Sequence, residues 1–219
     1  MPKNEYFAEE VTEVVRPTIG DDDVARLFDR REGPIQDLAD HAGTVAAACH
    51  AMAVRFHRGG KLVVLGTGAA STDALHVAVE FVHPVIVGKR ALPAISLTAD
   101  IATVTGLAAR DGMGGIFAHQ IHYLARPADI ALGICATGND ESVLRGLVAA
   151  HDLGMLTIAL VGGDGGAIGA SPAVDHLLVA RSADPQIVKE VHVTAYHLLW
   201  ELVHVFFEQP GVLDPEVVG

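Results

Sequence analysis

The spacing of apolar residues along the chain changes near residue 61. Before that point apolar positions recur every third or fourth residue, and beyond it short β-branched runs alternate with helical stretches. The first part predicts a short amphipathic helix after Asp21–Asp23. A long helix, Pro34–Arg58, is predicted next, between a break at Gly33 and a stop at Gly59. The second part predicts a mostly parallel, doubly wound α/β sheet, because strands alternate with helices.

The sheet that this pattern predicts has five strands. Their bounds are Lys61–Leu65, Ala94–Leu97, Ile130–Cys135, Thr157–Val161 and His176–Val179. The predicted helices are Ser71–Val82, Ile101–Ala109, Ile116–Leu124, Asp140–Leu153 and Pro185–Glu208. Ligands bind such sheets beyond the carboxyl ends of the strands. The turns at those ends, 66–70, 136–139 and 162–166, are rich in small residues, so we expect a ligand there.

Composition and charge narrow the class of protein. At 219 residues, 50% of them hydrophobic, the chain can bury the core of a single domain. Its net charge of −12 argues against nucleic acid as a direct partner, because binding a phosphate backbone needs a basic face. Cys49 and Cys135 lie in apolar stretches and are expected to be reduced thiols of a cytoplasmic protein. The first residues lack the apolar segment of a signal peptide, and no apolar run reaches the ~18 residues of a membrane span.

The turn after the first strand, Gly66–Ser71, allows two interpretations. It is similar to a dinucleotide fingerprint, but the third glycine and a convincing acid about 20 residues further on are missing, so we expect no NAD. It is either a tight turn capped by Ser71 or Thr72, or a turn that offers the N–H groups of a helix N-terminus to a ligand. We favour the ligand-facing turn, because His76 and Glu80 follow at i, i+4 spacing and share one helix face.

The turn after the third strand, 136–142, favours a structural role. Asp140 and Glu141 are suited to cap the next helix and to complement its dipole. Two carboxylates in this first turn would repel a phosphate. By itself, this turn therefore predicts no anion site.

The C-terminal helix carries several titratable residues. Glu190, His197 and Glu201 lie on one stripe, since they are seven and four residues apart. Histidines on helices more often serve packing than bind metals, and with 12 histidines in the chain such pairs arise by chance. Composition alone favours a structural role over a metal site.

From about Arg58 to Glu208, the order and spacing of features resemble the SIS (sugar isomerase) domain. Within that family the chain is similar to the phosphoheptose isomerases and their replication-initiator-associated homologues. The stretches that carry the resemblance are Gly60–Gly68, Asp73–His76 with Glu80, Pro93–Leu97, Asp129–Ile134 with Thr137–Asn139, Gly165–Gly166, and Lys189–His192 with His197. No single stretch is specific, but their order as a set is typical of the family.

The resemblance implies a three-layer, flavodoxin-like α/β fold with a five-stranded parallel sheet. It implies an N-terminal helical extension (1–60) used for oligomerisation, an SIS domain (61–208) and a C-terminal tail (209–219). It also implies a homotetramer with active sites at subunit interfaces.

The resemblance further implies an aldose–ketose isomerase that acts on a sugar phosphate such as sedoheptulose 7-phosphate. Glu80 would be the general base that moves the C2 proton, and His197 the acid–base partner at the carbonyl. Proton transfer through an enediol needs such a pair. In zinc-bound members, the positions of His76, Glu80 and His197 are also metal ligands, and two imidazoles with one carboxylate suit zinc.

By the same resemblance, the sugar phosphate is held by loop residues and by one residue of the last helix. They are Gly66, Thr67, Gly68, Ala70, Ser71, Thr137, Gly138, Asn139 and Lys189. Several positions depart from the family pattern. Ala70 stands where relatives have a phosphate-binding serine, Cys135–Thr137 replaces a Ser-Thr-Ser run, and Asp140 replaces a further serine. The hydroxyl groups that would hold a phosphate are therefore mostly absent from the sequence.

Lys189 stands at the position of a glutamine that completes the metal set in relatives. An ammonium cannot bind a metal unless it is deprotonated, and it could instead supply the positive charge of the metal. Gln186 is the alternative ligand if the preceding loop is shifted.

These departures leave three hypotheses open. The first, which we prefer, is an isomerase of a phosphorylated or related acidic sugar, with Glu80 and His197 in catalysis. The second is a non-catalytic SIS module, either a sugar-phosphate sensor or a tetrameric adaptor for another protein. The third keeps the enzyme but changes its substrate to a sugar whose anionic group is weaker or absent.

Overall fold

Five parallel strands form the central sheet of the structure, a computed structural model that describes residues 19–209 and 211–213. The strands are β1 (Leu62–Gly66), β2 (Ala94–Ser96), β3 (Ile130–Cys135), β4 (Leu156–Gly162) and β5 (His176–Ala180). Their order across the sheet is β2-β1-β3-β4-β5, and every neighbouring pair is parallel. This is the flavodoxin-like order, which confirms the predicted fold.

Helices cover both faces of the sheet and complete three layers. One face carries α1 (Asp21–Asp40), α2 (Ala42–His57), α3 (Ala69–Val82) and α8 (Pro185–Glu208). The other carries α4 (Ile101–Asp111), α5 (Ile116–Leu124), α6 (Glu141–Asp152) and the single turn α7 (Gly166–Gly169). A short 3₁₀ helix, Met113–Gly115, precedes α5.

Each face of the sheet has its own apolar core, and alternate residues of β1 contribute to the two cores. Leu62 and Val64 pack on the face of α3 and α8, and Val63 and Leu65 pack on the face of α5 and α6. Because both faces are covered, the central strands read as continuous apolar runs and not as alternating ones.

The N-terminal helices differ from the prediction, and the start of the predicted helix Pro34–Arg58 is wrong. α1 runs through Pro34 without a break, and the chain turns instead at His41, between α1 and α2. Pro34 removes one helical hydrogen bond, but the carbonyl that loses it belongs to the exposed Arg30, where water can replace the donor. At His41 the ring Nδ1 lies 2.7 Å from the Asp37 carbonyl oxygen, and the backbone N–H turns to the Leu38 carbonyl at 3.2 Å.

α2 belongs to the core of the sheet. Ala48, Cys49 and Met52 are fully buried against the strands and α8. Of the predicted extension (1–60), residues 1–18 lie outside the described residues, and so do residues 210 and 214–219 of the predicted tail (209–219).

α3 begins two residues earlier than predicted, and the alternative interpretation of the turn after β1, a cap by Ser71 or Thr72, is wrong. Gly68 is the N-cap residue, with φ of +54°, and no side chain accepts a hydrogen bond from the first turn. The Ser71 hydroxyl donates to the Gly68 carbonyl at 2.7 Å, and the Thr72 hydroxyl donates to the Ala69 carbonyl at 2.7 Å. Both hydroxyls donate to carbonyl groups three residues earlier, and neither accepts a hydrogen bond from an N–H group of the first turn.

The carboxyl ends of β1 and β3 lie side by side, since Gly66 pairs with Ile134 in the parallel ladder. The chain leaves β1 toward β2 on one side, and β3, β4 and β5 follow on the other. A sheet of this kind opens a crevice where the order of its strands reverses, which is here between β1 and β3. The turns after these two strands therefore face each other.

None of the helices in the described part of the chain has the length and apolar character that a membrane crossing needs.

Asp129 ties the beginnings of β1 and β3 together. The residue is 3% exposed. Its carboxylate accepts hydrogen bonds from the backbone N–H of Lys61 at 2.9 Å and from that of Arg126 at 2.8 Å. It also forms an ion pair with the Lys61 ammonium. We expect Asp129→Ala to lower the free energy of unfolding by about 2–4 kcal/mol, because two backbone N–H groups and the Lys61 ammonium lose their acceptor at a partly buried position. Urea unfolding measures this change. The control is Asp152→Ala at the exposed end of α6, which should shift it by less than about 0.5 kcal/mol. Equal effects of the two substitutions would contradict this role of Asp129.

Candidate active site

Glu80 of α3 lies between two imidazoles. Its Oε1 is 3.2 Å from His76 Nε2 and 3.3 Å from His197 Nε2. The Glu80 side chain is 14% exposed, whereas the side chains of His76 and His197 are 44% and 45% exposed. The Glu80 carboxylate is thus nearly buried, whereas the two imidazoles beside it are accessible to solvent. The predicted pair of Glu80 and His197 is brought together within one chain.

The arrangement follows from the way α8 lies against α3. His76 and Glu80 are four residues apart on α3 and point the same way. From α8, the Trp200 indole N–H donates to the Glu80 backbone carbonyl at 3.1 Å, and the Tyr196 hydroxyl lies 2.9 Å from His76 Nδ1. These contacts fix both the backbone of Glu80 and the ring of His76.

Tyr196 determines which nitrogen of His76 carries a proton. The tyrosine is 1% exposed, and its burial, with Asp73 and Glu80 nearby, raises the pKa of its phenol above the usual value. The phenol therefore stays protonated and is able to donate to His76 Nδ1 in metal-free protein. We assign the proton of the neutral imidazole to Nε2, which then donates to Glu80 Oε1.

These three side chains can hold a metal ion. One ligand atom from each of His76, Glu80 and His197 lies within 4.8 Å of the others. Two imidazoles and one carboxylate form the three-ligand set of open catalytic zinc sites, which leave a coordination position for water or substrate. When Nε2 of His76 binds a metal, the proton of the neutral ring lies on Nδ1 and can be donated to the Tyr196 oxygen, which is the outer support that such ligands usually have.

A cavity of about 400 Å³ opens beside this group. Glu80 and His197 form part of its wall, and Lys89 and Glu201 add two charges of opposite sign. A sugar could reach the carboxylate and the imidazole from this side.

A second cavity, of about 270 Å³, lies between the turns after β1 and β3, and we call it the loop cavity. Its lining residues are Thr67, Ala69, Ala70, Ile134, Cys135, Ala136, Thr137, Asn139 and Asp140. Of the predicted substrate-binding residues, this cavity brings together Thr67, Ala70, Thr137 and Asn139.

Glycines shape the loop cavity where backbones approach closely. A Cβ on Gly66 would lie 2.8 Å from the Ala70 carbonyl oxygen, and one on Gly138 would lie 2.1 Å from that of Gly165. Gly138 also has φ of +70°, which other residues rarely adopt. The Asn139 side chain stabilises the turn after β3. Its amide N–H donates to the Thr137 carbonyl and its amide oxygen accepts from the Ala167 N–H, both at 3.0 Å.

Lys189 lies at neither the loop cavity nor the three-residue group. Its ammonium contacts both carboxylate oxygens of Asp73 at 2.7 Å, and it donates to the Thr72 hydroxyl at 3.2 Å and to the Ala69 carbonyl at 3.3 Å. The Asp73 side chain is 7% exposed, so Lys189 compensates a nearly buried charge. Gln186 lies in the first turn of α8, about three turns before His197, and is poorly placed to be a fourth ligand.

Two other histidines of α8 serve the core. His204 is 2% exposed, and its ring contacts the Trp200 carbonyl at 2.8 Å and the Arg90 carbonyl at 2.9 Å. His192 is 3% exposed, and burial lowers the pKa of its imidazole, so the ring is neutral.

The sequence analysis missed the roles of Asp73 and Tyr196. A signal for Asp73 was present, since Asp73, His76 and Glu80 lie at i, i+3 and i+7 on one face of α3. Tyr196 directly precedes His197, but nothing in its spacing shows that its hydroxyl reaches His76 across the helix contact.

The chain was compared with known proteins. The sequence pattern of the SIS domain matches residues 34–162, which is more than half of the chain. A phosphoheptose isomerase of Solidesulfovibrio magneticus is 40% identical over 179 residues, which cover 81% of this chain and 86% of that relative. The chain belongs to the SIS domain family and, within it, to the phosphoheptose isomerases. A second relative, the phosphoheptose isomerase of Aquifex aeolicus, is 38% identical over 77% of this chain and 83% of its own length.

Solved structures of SIS domain proteins agree with this assignment. A phosphoheptose isomerase from Francisella tularensis is 30% identical with a TM-score of 0.78, over 84% of this chain and 97% of that one. The phosphoheptose isomerase of Neisseria gonorrhoeae is 28% identical with a TM-score of 0.74, over 83% and 97% of the two chains. Fold and sequence thus give the same family.

We expect Tyr196→Phe to remove the preference of the neutral His76 imidazole for one tautomer. Without the phenol, no donor holds Nδ1, so the ring should populate both neutral tautomers and lose the fixed Nε2–H. Imidazole ¹⁵N chemical shifts of His76 in metal-free protein measure the tautomer populations. The control is Tyr123→Phe, at a tyrosine that is 70% exposed, which should leave the His76 shifts unchanged. Unchanged shifts in Tyr196→Phe would refute the assigned proton position.

Proposed function

We propose that this chain is an aldose–ketose isomerase that acts on a sugar phosphate through Glu80 and His197. The observation that carries the proposal is the contact of 3.3 Å between Glu80 Oε1 and His197 Nε2, beside a cavity of about 400 Å³. Relatives named phosphoheptose isomerase are 34% to 40% identical over most of the chain, which supports a seven-carbon sugar phosphate as the first substrate to test. The non-catalytic alternative is not favoured, because the acid–base pair is complete.

Glu80 and His197 have separate tasks in this reaction. Aldose–ketose conversion moves one hydrogen from C2 to C1 and shifts the carbonyl from C1 to C2. A carboxylate removes the C2 proton and delivers a proton to C1 of the enediol, and the proton on the carboxylate exchanges with solvent in part of the turnovers. An imidazole exchanges protons with the two oxygens. Glu80 Oε1 faces both histidines, which leaves Oε2 for the substrate proton.

His76, Glu80 and His197 would hold a divalent cation such as zinc. When bound, such an ion acts as a Lewis acid that polarises the substrate oxygens. Lys189 is held by Asp73, so this chain offers three side-chain ligands, and the remaining position is open to water or substrate. NAD is not part of this proposal, since the turn after β1 lacks the third glycine of the dinucleotide fingerprint.

We further propose a cytoplasmic homotetramer whose active sites are shared between copies. From Ala69, at the loop cavity, to Glu80, α3 rises about 16 Å, which is longer than an extended seven-carbon sugar. One copy would thus supply the loop cavity and another the acid–base pair. Large apolar side chains exposed on α1 and α3 support burial against other copies, namely Leu27, Phe28, Leu75, Val79 and Val82.

Glu80→Gln should reduce kcat for isomerisation of sedoheptulose 7-phosphate by about 10²- to 10⁴-fold, because glutamine keeps the shape but cannot take a proton. Aldose formation is followed by NMR, and circular dichroism checks the fold. The matched control is Glu190→Gln on α8, where the carboxylate pairs with Arg31 at 2.7 Å and lies apart from the site. Unchanged rates in Glu80→Gln would show that another group is the base.

Untagged protein should carry about one zinc ion per chain, and His76→Ala should carry much less, because only two side-chain ligands would remain. Elemental analysis by mass spectrometry measures the metal content. His119→Ala on α5 is the control, because this histidine is not part of the three-residue group. Near-zero zinc in the wild-type protein would remove the metal from the proposal and leave the acid–base pair.

A further inference from the structure

Asp140 occupies a position in the loop cavity where a ligand anion would otherwise be expected. It is the N-cap of α6, and its Oδ1 accepts the Val143 N–H at 3.1 Å. Its Oδ2 accepts the hydroxyl proton of Thr67 from the turn after β1. One carboxylate therefore joins the two turns that form the cavity.

The carboxylate of Asp140 is charged at neutral pH. Partial burial opposes its ionisation, but the hydrogen bonds from Thr67 and from the Val143 N–H hold its pKa below the usual value. The positive end of the α6 dipole favours the same charged state. The loop cavity thus contains a permanent negative charge.

Nothing in the lining of the loop cavity balances a second anion. The described residues around it include no lysine, arginine or histidine. Lys189 is near the first turn of α3, but both oxygens of Asp73 hold its ammonium. Thr67, a potential donor to a ligand, already donates to Asp140. A phosphate dianion in this cavity would face the Asp140 carboxylate, and the neighbouring ammonium, that of Lys189 beside Ala69, is already paired with Asp73.

The same groups suit a neutral polar ligand. A carboxylate accepts hydrogen bonds from sugar hydroxyls, and Thr137 offers a hydroxyl from the opposite side. An ammonium group on a sugar would also be stabilised by the charge.

We propose that Asp140 is a specificity-determining residue, which makes the loop cavity select the hydroxyl-bearing end of a sugar over a phosphate dianion. This inference rests on the proposed isomerase function and narrows its substrate: among the sugars that the site can isomerise, those that place no phosphate in this cavity are preferred.

The test compares binding of free sedoheptulose, sedoheptulose 7-phosphate and inorganic phosphate by isothermal titration calorimetry. Asp140→Asn keeps the shape and the helix cap while it removes the charge, and Asp140→Ser is a second variant in case the first does not fold. The control is Asp100→Asn, another N-cap aspartate, which accepts the Ala102 N–H at 3.0 Å and the Thr103 hydroxyl but lies outside the loop cavity.

The wild-type protein should bind the free sugar at least as tightly as its phosphate. In Asp140→Asn, the preference should shift toward the phosphate by about tenfold or more, inorganic phosphate should bind tighter by a similar factor, and Asp100→Asn should change neither. A smaller shift, or phosphate binding that is equal or unmeasurable in wild type and both Asp140 variants, overturns the inference. Turnover separates the two proposals: isomerisation with an unshifted preference refutes only the role of Asp140. A shifted preference with no isomerisation of either sugar refutes only the enzymatic function.

Discussion

The contact between α3 and α8 is the constraint on which the candidate site depends. Several polar contacts join the helices, among them the side-chain pairs Lys189–Asp73, Tyr196–His76 and His197–Glu80. A polar group that is buried between helices without a partner costs free energy, so a register in which all three pairs form is favoured over one in which the helices slide. This register places a nearly buried carboxylate between two imidazoles.

The order of the strands supplies the other part of the site. Because the chain leaves β1 in one direction and continues through β3 in the other, the turns after these strands enclose the loop cavity. α3 begins at this cavity and carries Glu80 about three turns further on, so this helix fixes the separation of the loop cavity and the three-residue group. Apart from Lys189, the departures from the family pattern lie in the loop cavity, whereas both residues of the proposed acid–base pair, Glu80 and His197, are present. The proposed reaction is therefore the one expected for the family, and the loop cavity is where this chain differs from the family pattern.

Sequence patterns predicted the features that depend on local spacing. The alternation of strands and helices gave the five-stranded parallel sheet, and the i, i+4 spacing of His76 and Glu80 placed both on one helix face. The meeting of Glu80 with His197 came from the family resemblance, because no local pattern relates two residues so far apart in the chain.

Features that depend on the tertiary surroundings could not be predicted. Whether Pro34 breaks the helix depends on whether water can reach the Arg30 carbonyl, which the proline leaves without a hydrogen-bond donor. The exposure of Arg30 is known only from the fold. Lys189 and Asp73 are 116 residues apart in sequence, and no local pattern shows that the ammonium of one pairs with the nearly buried carboxylate of the other. The hydrogen bond between Thr67 and Asp140 likewise joins two turns that only the strand order brings together.

Exchange of the substrate C2 hydrogen with solvent deuterium tests the central claim, that Glu80 moves this proton with the help of His197. Proton NMR in heavy water follows the C2 signal of the aldose with wild-type protein and with Glu80→Gln. The account predicts deuterium at C2 with the wild-type protein and none with the variant. Equal exchange in both, or turnover by the wild-type protein that leaves the C2 hydrogen in place, would contradict it.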